Sequence, residues 1–100
     1  MEIHVQAINF TADQKLIEYV NQKAERLSRL LDRIQRVEIF LKLEEKHSHI
    51  KQKSVEIKVS IPGNVLFASE SEKTFEKAFD EALGSIKKQL RKQKSKWEPK

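Results

Sequence analysis

The spacing of apolar residues switches repeatedly along this chain, and each switch marks a new element. Ile3, Val5 and Ala7 alternate with His4 and Gln6, and a period of two gives a strand with one buried side. From Leu16 the period lengthens: Leu16, Val20, Leu27 and Leu31, with Ile17 and Ala24 beside them, recur at steps of three and four. That is one stripe of a helix. Thr11-Ala12-Asp13-Gln14 is a capping-box pattern, so the reading is a helix over about 12–32. The period of two returns with Val37, Ile39, Leu41 and Leu43, Phe40 being an apolar exception on the outer side. A polar stretch from Glu45 to Ile50 reads as a loop, and Val55, Ile57, Val59 and Ile61 then alternate with Ser54, Glu56, Lys58 and Ser60. Pro62-Gly63-Asn64 is a turn of the kind that joins antiparallel strands. Val65 to Ser69 follows as a short strand with Leu66 and Ala68 inward. A second helix starts near Ser71, with Glu72 in its first turn, and reaches about residue 93. Its stripe is Phe75, Ala78, Phe79, Ala82, Ile86 and Leu90, with Leu83 at the edge. Gly84 inside it costs about 1 kcal/mol against Ala, which implies close packing at that point.

The order is βαβββα. At 100 residues, 38% of them apolar, the chain can build one modest core that every element must share. The outer strand faces are mostly polar, so both helical stripes belong on the same side of the sheet. The expected class is α+β: a four-stranded mixed sheet with two helices packed side by side on one face, like a double-stranded-RNA-binding domain, and a right-handed first crossover. A generic module of that kind lacks the leading strand and carries a lysine-rich helix start absent here. Residues 1–94 form the expected domain, and 95–100 a basic, mobile tail.

Charge is unevenly distributed. Seven bases and one acid, Glu98, lie from Lys87 onward, so that stretch carries +6 and the preceding 86 residues −1. A near-neutral body with a concentrated basic end suits a polyanionic partner. Projected at 100° per residue, Lys15, Lys23, Arg26, Arg29 and Arg33 gather on one flank of the first helix, with Tyr19 among them, while Glu18, Glu25 and Asp32 lie elsewhere. Lys73, Lys77, Lys87, Lys88 and Arg91 fall within roughly 100° on the second helix. A solvated face stitched by pairs such as Glu25 with Arg29 is the competing interpretation, each pair worth about 0.2–0.5 kcal/mol. It does not account for a basic run that continues past the last apolar contact. Two cationic helix faces side by side form a surface able to engage phosphates.

Other chemistry has little support. Cysteine is absent, which removes thiolate ligands and a Cys nucleophile. His47-Ser48-His49 beside Glu44 and Glu45 lacks defined ligand spacing, and His4 sits on an outer strand face. No Gly-rich phosphate cradle, nucleophile elbow or spaced carboxylate pair is present. The expectation is a protein that is not an enzyme, with no cofactor, no metal and no small-molecule substrate. The opening MEIHVQAINF lacks the basic end and apolar run of a signal peptide, no apolar run reaches about 18 residues, and neither helix has an apolar face to spare for lipid. Membrane association is not expected, and the protein reads as cytoplasmic. Trp97 can stack on a base or fold back on the helix.

Several segments match a known pattern: Asn9-Phe10-Thr11, Tyr19-Val20 with Lys23 and Leu27, Val59-Ser60-Ile61-Pro62-Gly63, Leu66-Phe67-Ala68, Ala78-Phe79-Asp80, and Gln89-Leu90-Arg91-Lys92. Over nearly its whole length the chain resembles the ribosome hibernation promoting factor and ribosome-associated inhibitor (sigma-54 modulation protein) family. The resemblance implies a βαβββα domain that sits where messenger and transfer RNA bind on the small ribosomal subunit. There it contacts rRNA through basic helices, inhibits translation, and favours inactive, dimeric ribosomes in stationary phase or stress. Lys23 and Arg26 match basic positions of the family's first helix, and Lys88, Arg91, Lys92 and Lys94 those of its second. With Arg29 and Lys87 from the projections, these are the expected rRNA-binding residues. Lys73-Thr74-Phe75 stands where the family usually has Asp-Met-Tyr, and Gly84-Ser85 where it has Asp-Lys. The chain stops soon after the second helix, so the expected form is short, without the extra dimerising domain of long members, and monomeric when free. A non-ribosomal regulatory module that binds a protein through the same basic surface is the alternative.

Overall fold

The computed structural model describes residues 1–46 and 50–97. It contains β1 (Glu2–Ile8), α1 (Gln14–Glu25), a 3₁₀ turn (Arg26–Arg29), β2 (Arg36–Lys46), β3 (Ile50–Ile61), β4 (Asn64–Glu72) and α2 (Phe75–Trp97). The strands lie in the order β1-β2-β3-β4. β1 pairs with β2 in parallel, and the other two ladders are antiparallel. The sheet is therefore mixed, as the element order requires: α1 carries the chain back to start β2 beside β1, while β2, β3 and β4 follow one another as hairpins.

Register explains why one face is buried. Val37, Val59 and Leu66 are cross-strand partners, as are Ile39, Ile57 and Ala68, and all six are buried. Partners across a ladder share a face, so the alternation read from each strand adds up to one apolar surface. Leu16, Val20, Ala24 and Leu27 from the first helical segment, and Phe75, Ala78, Phe79, Ala82, Ile86 and Leu90 from α2, complete the same core. Both helices thus cover one side. Ile3 and Val5 pack against that core while staying half-exposed, as an edge strand allows.

Element ends depart from the sequence reading in instructive ways. The N-cap of α1 is Asp13, not Thr11: its carboxylate accepts from the Leu16 amide at 2.8 Å. The helix stops being α-helical after Glu25 although the apolar period runs on to Leu31, because the chain tightens into a 3₁₀ turn, with the Leu30 amide donating to the Leu27 carbonyl at 3.0 Å. Residues three apart eclipse in such a turn, so Arg26 and Arg29 stand in one row. Ser71 and Glu72 belong to β4, paired with Ser54 and Lys53, and the Ser71 hydroxyl meets that of buried Ser54 at 2.7 Å. Thr74 caps α2 instead, its hydroxyl accepting from the Lys77 amide at 3.1 Å. The α2 helix continues through Trp97, past the expected end at about residue 93, and Trp97 packs back on the core with Arg33 over its ring at 5.2 Å. Residues 98–100 of the expected tail, and the His47-Ser48-His49 segment, lie outside the described residues. The β2 and β3 strands reach Lys46 and Ile50, so their hairpin is longer than the alternation suggested.

Glycine meets two different demands. Gly63 has φ +77° and follows Pro62, the Pro-Gly order of a type II turn. Gly84 was expected to permit close packing, and it does not: outside its own helix, a Cβ there would meet nothing within 4 Å.

Candidate nucleic-acid interface

The side chains expected to bind RNA all lie on the helical side. Lys23 ends α1, Arg26 and Arg29 form the 3₁₀ row, and Lys87, Lys88, Arg91, Lys92 and Lys94 ride on the second half of α2. The structure brings three of them together from separate elements. Lys23, Arg26 and Lys87 line a groove of about 200 Å³ with Asp80, Leu83 and Gly84. A second groove of about 330 Å³ joins Arg29 to Lys94. Lys88, Arg91 and Lys92 line neither groove, and all three are exposed on α2.

The stitched-face interpretation fails where it matters. Among the described residues, Arg26, Arg29, Lys87, Lys88, Arg91 and Lys92 have no acidic partner, and Glu25 does not pair with Arg29. The front-end lysines of α2 behave differently. Lys73 precedes the helix, and Lys77 approaches Glu72 at 3.5 Å. There the Glu81 carboxyl is held above its ordinary pKa, chiefly by its hydrogen bond to Glu72, and Glu72 is lowered chiefly by the same bond. The start of α2 is therefore acidic and self-paired. Its cationic character begins at Lys87, just past the midpoint of the helix.

Asp80 is an acid inside the basic surface, and its charge is absorbed locally. Lys23 donates to Asp80 Oδ1 at 2.8 Å and to the Tyr19 hydroxyl at 2.8 Å, and that hydroxyl donates to the Asp80 carboxylate at 2.7 Å. The ammonium also lies 4.5 Å from the centre of the Tyr19 ring. Its pKa is raised above the ordinary lysine value, first by the bond to Asp80 and next by the bond to Tyr19. The Tyr19 ring meets Phe79 edge-on at 6.3 Å. Because Phe79 is fully buried, this clamp ties the α1–α2 spacing to the core. Sequence reasoning placed Tyr19 among the bases and missed Asp80 as its partner. The one available signal was an acid lying on the cationic arc of α2.

Other sites are not apparent among the described residues: no group of three or more His, Cys, Asp or Glu could hold a metal ion. Nor is any helix there long and apolar enough to cross a membrane.

Residues 3–98 match the family described as sigma 54 modulation protein / S30EA ribosomal protein. The chain belongs to this family. A relative from Deinococcus radiodurans, a ribosome hibernation promotion factor, is 28% identical over 89 residues. That match takes in 89% of this chain and 47% of the relative, so the chain spans about half the length of that protein. Two solved structures share the fold. A ribosomal subunit interface protein from Coxiella burnetii superposes with a TM-score of 0.83 at 22% identity, covering 95% of this chain and 99% of that one. The N-terminal domain of Protein Y from Thermus thermophilus superposes at 0.77 with 24% identity, covering 92% and 98%.

Proposed function

We propose that this protein is a ribosome hibernation factor that binds rRNA of the small subunit at the mRNA and tRNA channel and inhibits translation without catalysis. Bound in that channel, it would favour inactive ribosomes in stationary phase or stress and act in the cytoplasm. The observation that carries this reading is the row of bases without acidic partners on the two helices, within a fold whose family is ribosomal. A folded protein gains nothing internally from Arg26, Arg29, Lys87, Lys88, Arg91 and Lys92 standing together, because like charges at such spacing repel. A phosphate backbone turns that cost into affinity by releasing its condensed counterions.

Co-sedimentation with purified ribosomal subunits tests the reading. The expected result is protein in the small-subunit fraction at low salt. If about five phosphates are neutralised, affinity falls by roughly 10²–10³ between about 50 and 200 mM salt. Protein that stays out of the ribosomal fractions at low salt overturns it, and co-fractionation with a cytosolic protein instead would favour the regulatory-module alternative.

A further inference from the structure

Gly84 lies in the interior of α2 with no conformational or packing reason to be glycine. Its φ is not positive, and an added Cβ would stand in open space outside the helix. Glycine at such a position makes the helix less stable than alanine does, and nothing inside this chain offsets the loss. A partner that approaches the helix backbone closely would supply a reason for it.

What surrounds the residue identifies the chemistry. Gly84 is half-buried at the groove shared with Lys23, Arg26, Asp80, Leu83 and Lys87. Helical spacing puts Lys87 and Lys88 three and four residues on and Arg91 seven on, so glycine sits at the centre of the cationic side of α2. Arg26 and Lys87 have no acidic partner among the described residues. Asp80 is already engaged by Tyr19 and Lys23, so the acid in the groove is compensated. A missing side chain at the floor and uncompensated bases on both walls describe a place where a polyanion backbone can come close.

We propose that the Gly84 groove seats one backbone phosphate of bound RNA, held between Arg26 on the α1 side and Lys87 on α2. The proposal rests on the reading that the helical face binds rRNA and adds a specific point of closest approach. It assigns Gly84 a positioning role, since the phosphate charge is met by Arg26 and Lys87.

The test pairs a stability measurement with an affinity measurement on the full chain. Gly84→Ala, Gly84→Leu and a control on the same helix away from the groove, Ser95→Ala, are compared by thermal melting and by equilibrium binding to purified small subunits across a salt series. Gly84→Ala is expected to raise the Tm of the free protein by about 4–8 °C and yet to bind more weakly, by about tenfold. Gly84→Leu is expected to lose roughly 10²-fold and about one unit of salt slope, as when one phosphate contact disappears. Ser95→Ala should bind as wild type. The proposal is overturned if wild type binds and both Gly84 variants bind equally well, or if Gly84→Ala melts below wild type, which would make the glycine a packing requirement. If wild type itself fails to bind the small subunit, the rRNA reading falls first, and the groove with it.

Discussion

The two broad surfaces of this molecule carry similar residue types and use them differently. On the outer face of the sheet, charges meet partners. Lys42 bridges to Glu56, Arg36 lies 3.5 Å from Glu38, His4 is 3.5 Å from Glu2, and Lys58 stands 5.8 Å from the centre of the Phe40 ring. On the helical face Arg26, Arg29, Lys87, Lys88, Arg91 and Lys92 have no acidic partner among the described residues, and its central acid is withdrawn into the Tyr19 clamp. A charge that is paired within the fold has little left to offer a ligand, whereas an unpaired cation keeps its full field. Counting lysines and arginines therefore does not locate a binding surface. Their pairing does.

The sharpest way to break this comparison is to neutralise two bases on each face. Lys88→Gln with Arg91→Gln, and Arg36→Gln with Lys58→Gln, each lower the net charge of +5 by the same amount. Lys42 and Lys53 make poorer controls, because Lys42 belongs to the less exposed cross-strand pair with Glu56 and the Phe75 ring beneath Lys53 is part of the buried core. The helical double variant is expected to bind small subunits about 10- to 100-fold more weakly, with the salt slope lower by about two. The sheet variant should stay within about threefold of wild type. Equal losses measured by co-sedimentation would mean that bulk charge alone sets affinity.

The contrast also separates what was legible in the sequence from what was not. Strand faces were legible because period two is local: Leu66 and Ala68 turn inward as the alternation required. The same logic set Phe40 on the outer side. Helix ends were less so, since several residues competed to cap. Asp13 and Thr74 took positions that Thr11 and Ser71 could equally have filled by residue type, and pairing of Ser71 with Ser54 on β3 decided the second case. The 3₁₀ turn was hidden because Leu27 and Leu31 preserve a helical period through it. The cationic faces were visible in a helical projection. The clamp was not, because Asp80 and Lys23 are 57 residues apart and nothing local links them. Gly84 was visible as an anomaly, but the close packing expected there was not found: only the packed helices reveal that the space beside it is open.

A smaller effect is expected from the clamp, where the helical face does pair a charge. Lys23 and Asp80 are 33% and 45% exposed, so solvent screens them, and Lys23→Met should cost about 0.5–1 kcal/mol. The pH dependence has a definite sign. The folded-state pKa of Lys23 lies above the ordinary value of 10.5, so its contribution is complete below that value and is lost as pH rises through the folded-state one. Urea unfolding of wild type and Lys23→Met should therefore show a constant difference between about pH 7 and 10, shrinking above it. A difference that widens in alkali would contradict the clamp. Tyr19→Phe, which removes the hydroxyl that both partners use, should reproduce most of the loss at neutral pH.

The smallest effects belong to the sheet face, where two ion pairs differ in exposure. Lys42 and Glu56 join neighbouring strands, with side chains 25% and 24% exposed, and the ammonium is held above its usual pKa, first by the bond to Glu56. Arg36 and Glu38 sit two residues apart on one strand, are 45% and 31% exposed, and meet at 3.5 Å without a short contact. Cross-strand pairs couple two elements, while a same-strand pair gains nothing from holding strands together. Double-mutant cycles with Lys42→Met and Glu56→Gln should give a coupling of about 0.5–1 kcal/mol, and Arg36→Met with Glu38→Gln one below about 0.3 kcal/mol. Neither cycle should move the affinity for small subunits, because both pairs lie across the sheet from the unpaired bases. A ribosome affinity that tracks the Lys42 cycle would place a contact on the sheet and dissolve the division of labour between the two faces.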